Sequence, residues 1–148
     1  MLLVDTCIYY GYANNDPVVV QNWNSFEASQ INLCDTVVGE ILTDHVATLA
    51  KFSSGTFKGK GTIVQAYGSM NASLADINEI NCLQYTDAAH AEYQRLKKLH
   101  PGMSVNDCRI AATAIVHSAI LVTENVKHFR DVMPTGSLQD WTRPDRSV

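Results

Sequence analysis

Four short apolar runs divide the chain: LLV (2–4), INLC (31–34), INCLQY (80–85) and AILVT (119–123). Each is too short for a helix, and the stretches between them carry apolar residues at helical spacing. Strands alternating with helices imply a parallel sheet covered on both faces, and unbroken hydrophobicity is what a strand buried on both sides requires. The segments between the runs read as follows. Pro17 opens a helix running to about Gln30, after the turn-rich YANNDP. Asp35 or Thr36 caps a helix with Val37, Val38, Ile41, Leu42, Val46, Leu49 and Ala50 on its apolar side. Residues 53–70, rich in Gly and Ser, read as a loop or flap leading into another helix. Thr86 caps a helix from Asp87 to about His100, stopped by Pro101-Gly102. SVNDCRIAATAI (104–115) is a further helix, opened by Ser104 in the S-x-x-D spacing of a capping box with Asp107, and ENVKHFRDV is a turn or short helix.

With 148 residues, 46% of them apolar, the chain has the size of one domain spanning residues 1–148. The opening MLLVDTCIYY lacks the basic and small-residue features of a secretory signal, and IAATAIVHSAILV is broken by His117 and Ser118. A cytoplasmic protein without membrane association is expected. The 4 cysteines form no C-x-x-C pair, so reduced and mostly buried thiols are expected, and the 5 histidines form no zinc-hydrolase constellation. A net charge of −4 argues against a protein that holds nucleic acid by bulk electrostatics alone, though local basic patches remain compatible with it.

In a parallel α/β sheet, strand carboxyl ends and the amino ends of the following helices share one edge, where such folds place their ligands. Asp5 ends the first strand, Glu40 lies early in the helix after the second, Asp107 opens the helix before the fourth, and Glu124-Asn125 follows it. Each has an ordinary explanation taken singly: a turn, a solvated helix face, a cap. Gathered on one edge they pose an energetic problem. Two carboxylates ~6 Å apart repel by about 3 kcal/mol at an effective dielectric near 20. A helix amino terminus returns only about 0.3–1 kcal/mol per acid. Either protons or a cation must neutralise the group, and oxygen donors of this kind suit Mg²⁺ or Mn²⁺. A cation so held activates water and bridges phosphate oxygens. No Ser-His-Asp or Cys-His arrangement and no phosphate-binding G-x-x-x-x-G-K-[ST] loop competes with this reading.

At these residues the chain resembles a known family. LLVDTCIYY, VVGEIL, NDCRIAATAI and LVTENVKHF are similar, in order and spacing, to the signature blocks of PIN-domain ribonucleases, most closely the VapC toxins of type II toxin–antitoxin pairs, and LQDW resembles the tail of many members. The resemblance implies a PIN-like three-layer α/β/α sandwich with a short, mostly parallel sheet of four to five strands. It implies a Mg²⁺- or Mn²⁺-dependent endoribonuclease acting on tRNA or other structured RNA, a cognate VapB-like antitoxin and a homodimer. By position, Asp5, Glu40 and Asp107 are the implied metal ligands, with Thr6 and Thr123 as supporting hydroxyls. Asn125 stands where the family often has a fourth Asp, which puts a second metal in question. In these roles Asp5 and Asp107 bind the metal directly, Glu40 binds it or orients water, and Asn125 positions that water or a phosphate oxygen.

RNA needs positive charge to hold it, and the candidates are Lys58 and Lys60 in the Gly- and Ser-rich stretch, Arg109 next to the site and Lys127 after the fourth strand, with Arg95, Lys97, Lys98 and Arg130 further options. Tyr9, Tyr10 and Tyr12 suit core or interface packing ahead of base stacking. Two rival readings are a PIN nuclease of RNA processing without an antitoxin, and a PIN module that has lost catalysis and serves as an interaction surface.

Overall fold

The computed structural model describes residues 1–148. Five parallel strands form one sheet: β1 (Leu2–Val4), β2 (Ile31–Cys34), β3 (Asn81–Leu83), β4 (Ile120–Val122) and β5 (Leu138–Gln139), in the order β3-β2-β1-β4-β5. The first four fall on the four apolar runs, and the fold is the expected α/β, PIN-like one with every strand pair parallel. β1 lies at the centre, with Leu2 opposite Ile31 on one side and Ile120 on the other. All residues of β1 and β2 are buried, as strands covered on both faces must be.

Seven α-helices connect and cover the strands: α1 (Thr6–Ala13), α2 (Pro17–Trp23), α3 (Asp35–Ser53), α4 (Ile63–Glu79), α5 (Asp87–Leu99), α6 (Val105–Val116) and α7 (Val126–Phe129). None is long and apolar enough to cross a membrane. α6 is the most deeply seated, burying Cys108, Ile110, Ala111, Ala112, Thr113 and Ala114; its alanines leave room for close approach to the sheet. The tract IAATAIVHSAILV is thus a buried helix followed by a strand, as its pattern implies.

Two local expectations need correction, and one helix adds to them. The helix from Pro17 ends at Trp23 rather than near Gln30. Its last turn is committed to tertiary bonds: the Asn22 amide donates to the carbonyls of Trp141 (3.1 Å) and Arg143 (2.9 Å), and a separate 3₁₀ turn follows at Ala28–Gln30. The segment after β1 is helical as α1, although Tyr and Gly are weak helix formers. A Cβ at Gly11 would stand 3.0 Å from the Val19 side chain, so the glycine lets α1 and α2 pack closely there. Finally, the loop after α3 is shorter than residues 53–70: Thr62 starts α4 through a reciprocal capping box with Gln65. All cysteines are free thiols; Cys34 and Cys108 are buried as expected, Cys7 is half-buried and Cys82 is exposed.

The carboxyl-terminal segment closes the core. Trp141 is fully buried, stacks on Phe26 at 5.3 Å, meets Trp23 edge-on at 6.1 Å and donates its indole N–H to Gln139 Oε1 (2.9 Å). Trp141→Ala is therefore expected to cost about 3–5 kcal/mol of stability, read as a lowered urea midpoint; a change below about 1 kcal/mol would contradict this packing.

Candidate active site

The strand order reverses direction from β1 outward, and the crevice between β1 and β4 is the place where an open parallel sheet exposes backbone and side chains to a ligand. Asp5 stands there. Its N–H donates to Val122 O (2.9 Å), continuing the β1–β4 ladder, and its extended backbone makes it the N-cap of α1. Both carboxylate oxygens are engaged: Oδ1 accepts from the Thr6 N–H (2.7 Å), and Oδ2 accepts from the Thr123 hydroxyl (2.7 Å) and the Cys7 thiol (3.6 Å). Asp5 is only 7% exposed. Burial raises its pKa above the ordinary carboxylate range, and the Glu40 charge adds to that; the Thr123 and Thr6 hydrogen bonds work in the opposite direction. Burial, followed by the Asp5 charge, pushes the Cys7 thiol up to about 11, so at neutral pH it is a neutral donor.

Glu40 reaches the same region from the second turn of α3. One oxygen accepts from the Thr6 hydroxyl and the other from the Asn106 side-chain amide (2.8 Å). Thr6 thus touches both acids, its backbone on Asp5 and its hydroxyl on Glu40, which ties β1, α1 and α3 together. Asn106 adds α6 to the same set. Nothing in its sequence context singled it out, because its partner lies 66 positions away.

Asp107 is placed by Ser104, whose hydroxyl accepts from the Asp107 N–H (3.0 Å). Only this half of the expected capping box forms; the Asp107 carboxylate instead lies 3.4 Å from His128 Nδ1. His128 in turn pairs with the Asn125 side chain (2.7 Å), and the Asn125 N–H donates to Thr123 Oγ1 (3.0 Å). Thr123 therefore links the two groups, one built on Asp5 and Glu40, the other on Asp107, Asn125 and His128. His128 was absent from the sequence reading, where it offered only one histidine in a short helical run.

The acids do not converge as a finished three-ligand cage, and no group of three or more His, Cys, Asp or Glu side chains is gathered for a metal ion. Instead, each carboxylate is held by its own donors, which is how mutually repelling acids are accommodated on one edge. The donor chemistry nevertheless fits a hard divalent cation. The charged donors are carboxylate oxygens, the one thiol nearby is neutral, and the buried Asp5 charge has no cationic side chain among its partners.

Beside Glu40 opens a cavity of about 810 Å³. Thr6, Glu40, Asn106, Asp35, Tyr85 and Arg109 all line it. Of the basic residues singled out in the sequence, Arg109 alone reaches this cavity; Lys58 and Lys60 are exposed in the loop before α4, and Lys127 is exposed on α7. Arg95 is spent on a bidentate pair with Glu92 (2.8 and 2.6 Å), and Lys97 donates to the carbonyls of Pro101 and Met103. The three tyrosines pack as expected: Tyr9 is buried with its hydroxyl on Asp76 (3.1 Å), Tyr10 bonds Asp44 (3.2 Å), and Tyr12 stacks on Trp23 at 4.1 Å.

No protein-family model and no curated protein matches the sequence. Solved structures match in shape over nearly the full chain. A toxin–antitoxin complex from Klebsiella pneumoniae matches with a TM-score of 0.68 at 16% identity, over 93% of this chain and 95% of that one. VapBC2 from Rickettsia felis, bound to a DNA fragment from its promoter, gives 0.69 at 19% identity over 95% and 98%. DNA-bound VapBC from Salmonella typhimurium gives 0.72 at 18% identity over 95% and 99%. At these identities the likeness is one of fold.

The raised pKa of Asp5 has a consequence for stability. The folded state holds this proton more tightly than the unfolded chain, so the contribution falls as pH rises from the ordinary value of 3.8 through the raised one. In metal-free buffer, Asp5→Asn, which cannot ionise, is expected to gain stability relative to the unsubstituted protein between about pH 4 and about pH 7. Urea midpoints across that range check it, and a difference that stays constant or reverses would contradict the buried-charge account.

Proposed function

We propose that this chain is a metal-dependent endoribonuclease that hydrolyses phosphodiester bonds in tRNA or other structured RNA, and that it is the toxin of a VapBC-type pair. The observation that carries the reading is Asp5: a buried carboxylate at the carboxyl end of the central strand, coupled through Thr6 to Glu40 at the mouth of a polar cavity. The fold shared with toxin–antitoxin complexes supports the biological role.

In this reading Asp5, Glu40 and Asp107 hold Mg²⁺ or Mn²⁺. Such an ion, when bound, supplies a Lewis acid for the phosphate and lowers the pKa of a water. The chain's own residues do the rest. Thr123 and the Thr6 amide fix the Asp5 carboxylate, so its oxygens keep one orientation. Thr6 and Asn106 hold Glu40 at the cavity wall, where it orients the attacking water and takes up its proton. Asn125, anchored through its N–H to Thr123, is placed to hold that water or a phosphate oxygen. The proposed partners are a VapB-like antitoxin and a second copy of the chain, with the cytoplasm as the site of action.

Asp5→Asn is expected to abolish Mg²⁺-dependent RNA cleavage, by at least about 100-fold, with an unchanged far-UV circular dichroism spectrum. EDTA is expected to silence the unsubstituted protein, and excess Mg²⁺ to restore it. Expression without the product of a neighbouring antitoxin gene is expected to arrest growth, and co-expression to relieve it. An Asp5→Asn protein that cleaves at the full rate overturns the site assignment. A protein that never cleaves RNA with either ion is an interaction module instead.

A further inference from the structure

Arg109 is the one basic side chain that lines the cavity beside Glu40. It projects from the second turn of α6 into the cavity that also holds Glu40 and Asn106. Three acids, Asp35, Glu40 and Asp44, line the same cavity, yet Arg109 forms an ion pair with none of them. Those acids are taken by other donors: Asp35 by the Tyr85 N–H (2.8 Å) and the Cys82 thiol (3.5 Å), Asp44 by the Tyr10 hydroxyl (3.2 Å), and Glu40 by Thr6 and Asn106. The Arg109 Nε is buried and has no hydrogen-bond partner at all. A buried guanidinium N–H without an acceptor is costly, and the Arg109 side chain lines the cavity with no acid paired to it, which leaves its charge to an incoming anion.

The surroundings hold this guanidinium in position. Its carbon lies 5.4 Å from the centre of the Tyr93 ring, a cation–π distance that fixes the plane without using any N–H group. Tyr85 lines the cavity beside it. The Tyr85 ring is itself braced, edge-on to His90 at 6.0 Å with its hydroxyl 3.2 Å from His90 Nδ1. Burial raises the Tyr85 phenol, and the Arg109 charge and a hydrogen bond from its guanidinium counteract the rise, which fits their adjacency. A planar fork of donors beside an aromatic face is what one nucleotide needs: a phosphate for the fork and a base for the ring.

We propose that Arg109, held by Tyr93, anchors a phosphate flanking the one that is cleaved, and that Tyr85 carries the adjoining base. The subsite rests on the ribonuclease reading but is separable from it, because it binds without cleaving. A cavity of about 810 Å³ is within the range of nucleotide-sized ligand pockets and large enough to extend past the reacting phosphate. The subsite lies between α3 and α6, beside the turn that carries Tyr85 into α5, and Asp5 does not line it, so it sets where along a strand the cut falls and leaves the chemistry to the acids.

The test is equilibrium binding of a fluorescent single-stranded 2′-O-methyl RNA in EDTA, by anisotropy, over a range of KCl. Arg109→Ala is expected to weaken binding at least about tenfold and to lower the slope of log K against log[KCl] by about 0.7, the value of one phosphate contact on a single strand. Arg109→Met, which keeps an apolar stem over Tyr93, is expected to do the same and guards against a packing defect. Arg109→Lys is expected to recover the slope but not the full affinity. Tyr85→Phe is expected to bind normally and Tyr85→Leu to lose about fivefold or more. Arg143→Ala, which removes an equal charge from the pair with Asp140, is expected to change neither quantity. Weakened binding with an unaltered salt slope in Arg109→Ala and Arg109→Met, or normal binding by Tyr85→Leu, overturns the subsite while leaving the nuclease assignment standing. An unsubstituted protein that neither binds nor cleaves RNA overturns both.

Discussion

The bond from the Thr123 hydroxyl to Asp5 joins β4 to β1 where the sheet opens toward solvent, and the candidate site is arranged around it. A carboxylate so buried has to be compensated locally. Backbone, hydroxyl and thiol donors give part of that compensation, and they come from the residues that begin α1 and follow β4. Thr123 does double duty, donating to Asp5 and accepting from the Asn125 N–H, so the turn into α7 is positioned by the same oxygen. Thr6 extends the arrangement to α3 and Asn106 to α6. The rigidity of the site is thus a property of four short polar side chains seated on elements that the core already holds in place.

This order of dependence explains what could be read before any coordinates. Period and length placed four of the five strands and α5 nearly to the residue, because buried strands and amphipathic helices carry their burial in their own composition. β5 spans only Leu138–Gln139, too short to show a period, and entered through resemblance to a family tail alone. α1 was hidden by aromatic residues and Gly11, whose helical state follows from packing against α2. The end of α2 was misjudged because Asn22 answers to carbonyls 119 and 121 positions away.

The acids were legible for a different reason. Asp5 and Asp107 stand at the boundaries of elements and Glu40 in the second turn of α3, and such positions on one edge of a parallel sheet are brought near one another by topology. Their partners were not. Asn106, His128 and Tyr85 gain meaning only from side-chain contacts across the cleft, at separations that no local pattern encodes. Arg109 was visible as one charge among several, and its solitary place among bonded acids emerged only from the contacts those acids make elsewhere.

The central strand is only three residues long, flanked by one neighbour that begins at Ile31 and another that begins at Ile120. During synthesis β1 is made well before β4, so Leu2 waits for Ile120 to complete its second pairing. Asp5 and Thr123 stand 118 positions apart, so a nascent or truncated chain that stops before β4 lacks the bond on which the buried carboxylate depends. The candidate site is therefore incomplete until β4 and Thr123 have been made, a delay written into the strand order itself.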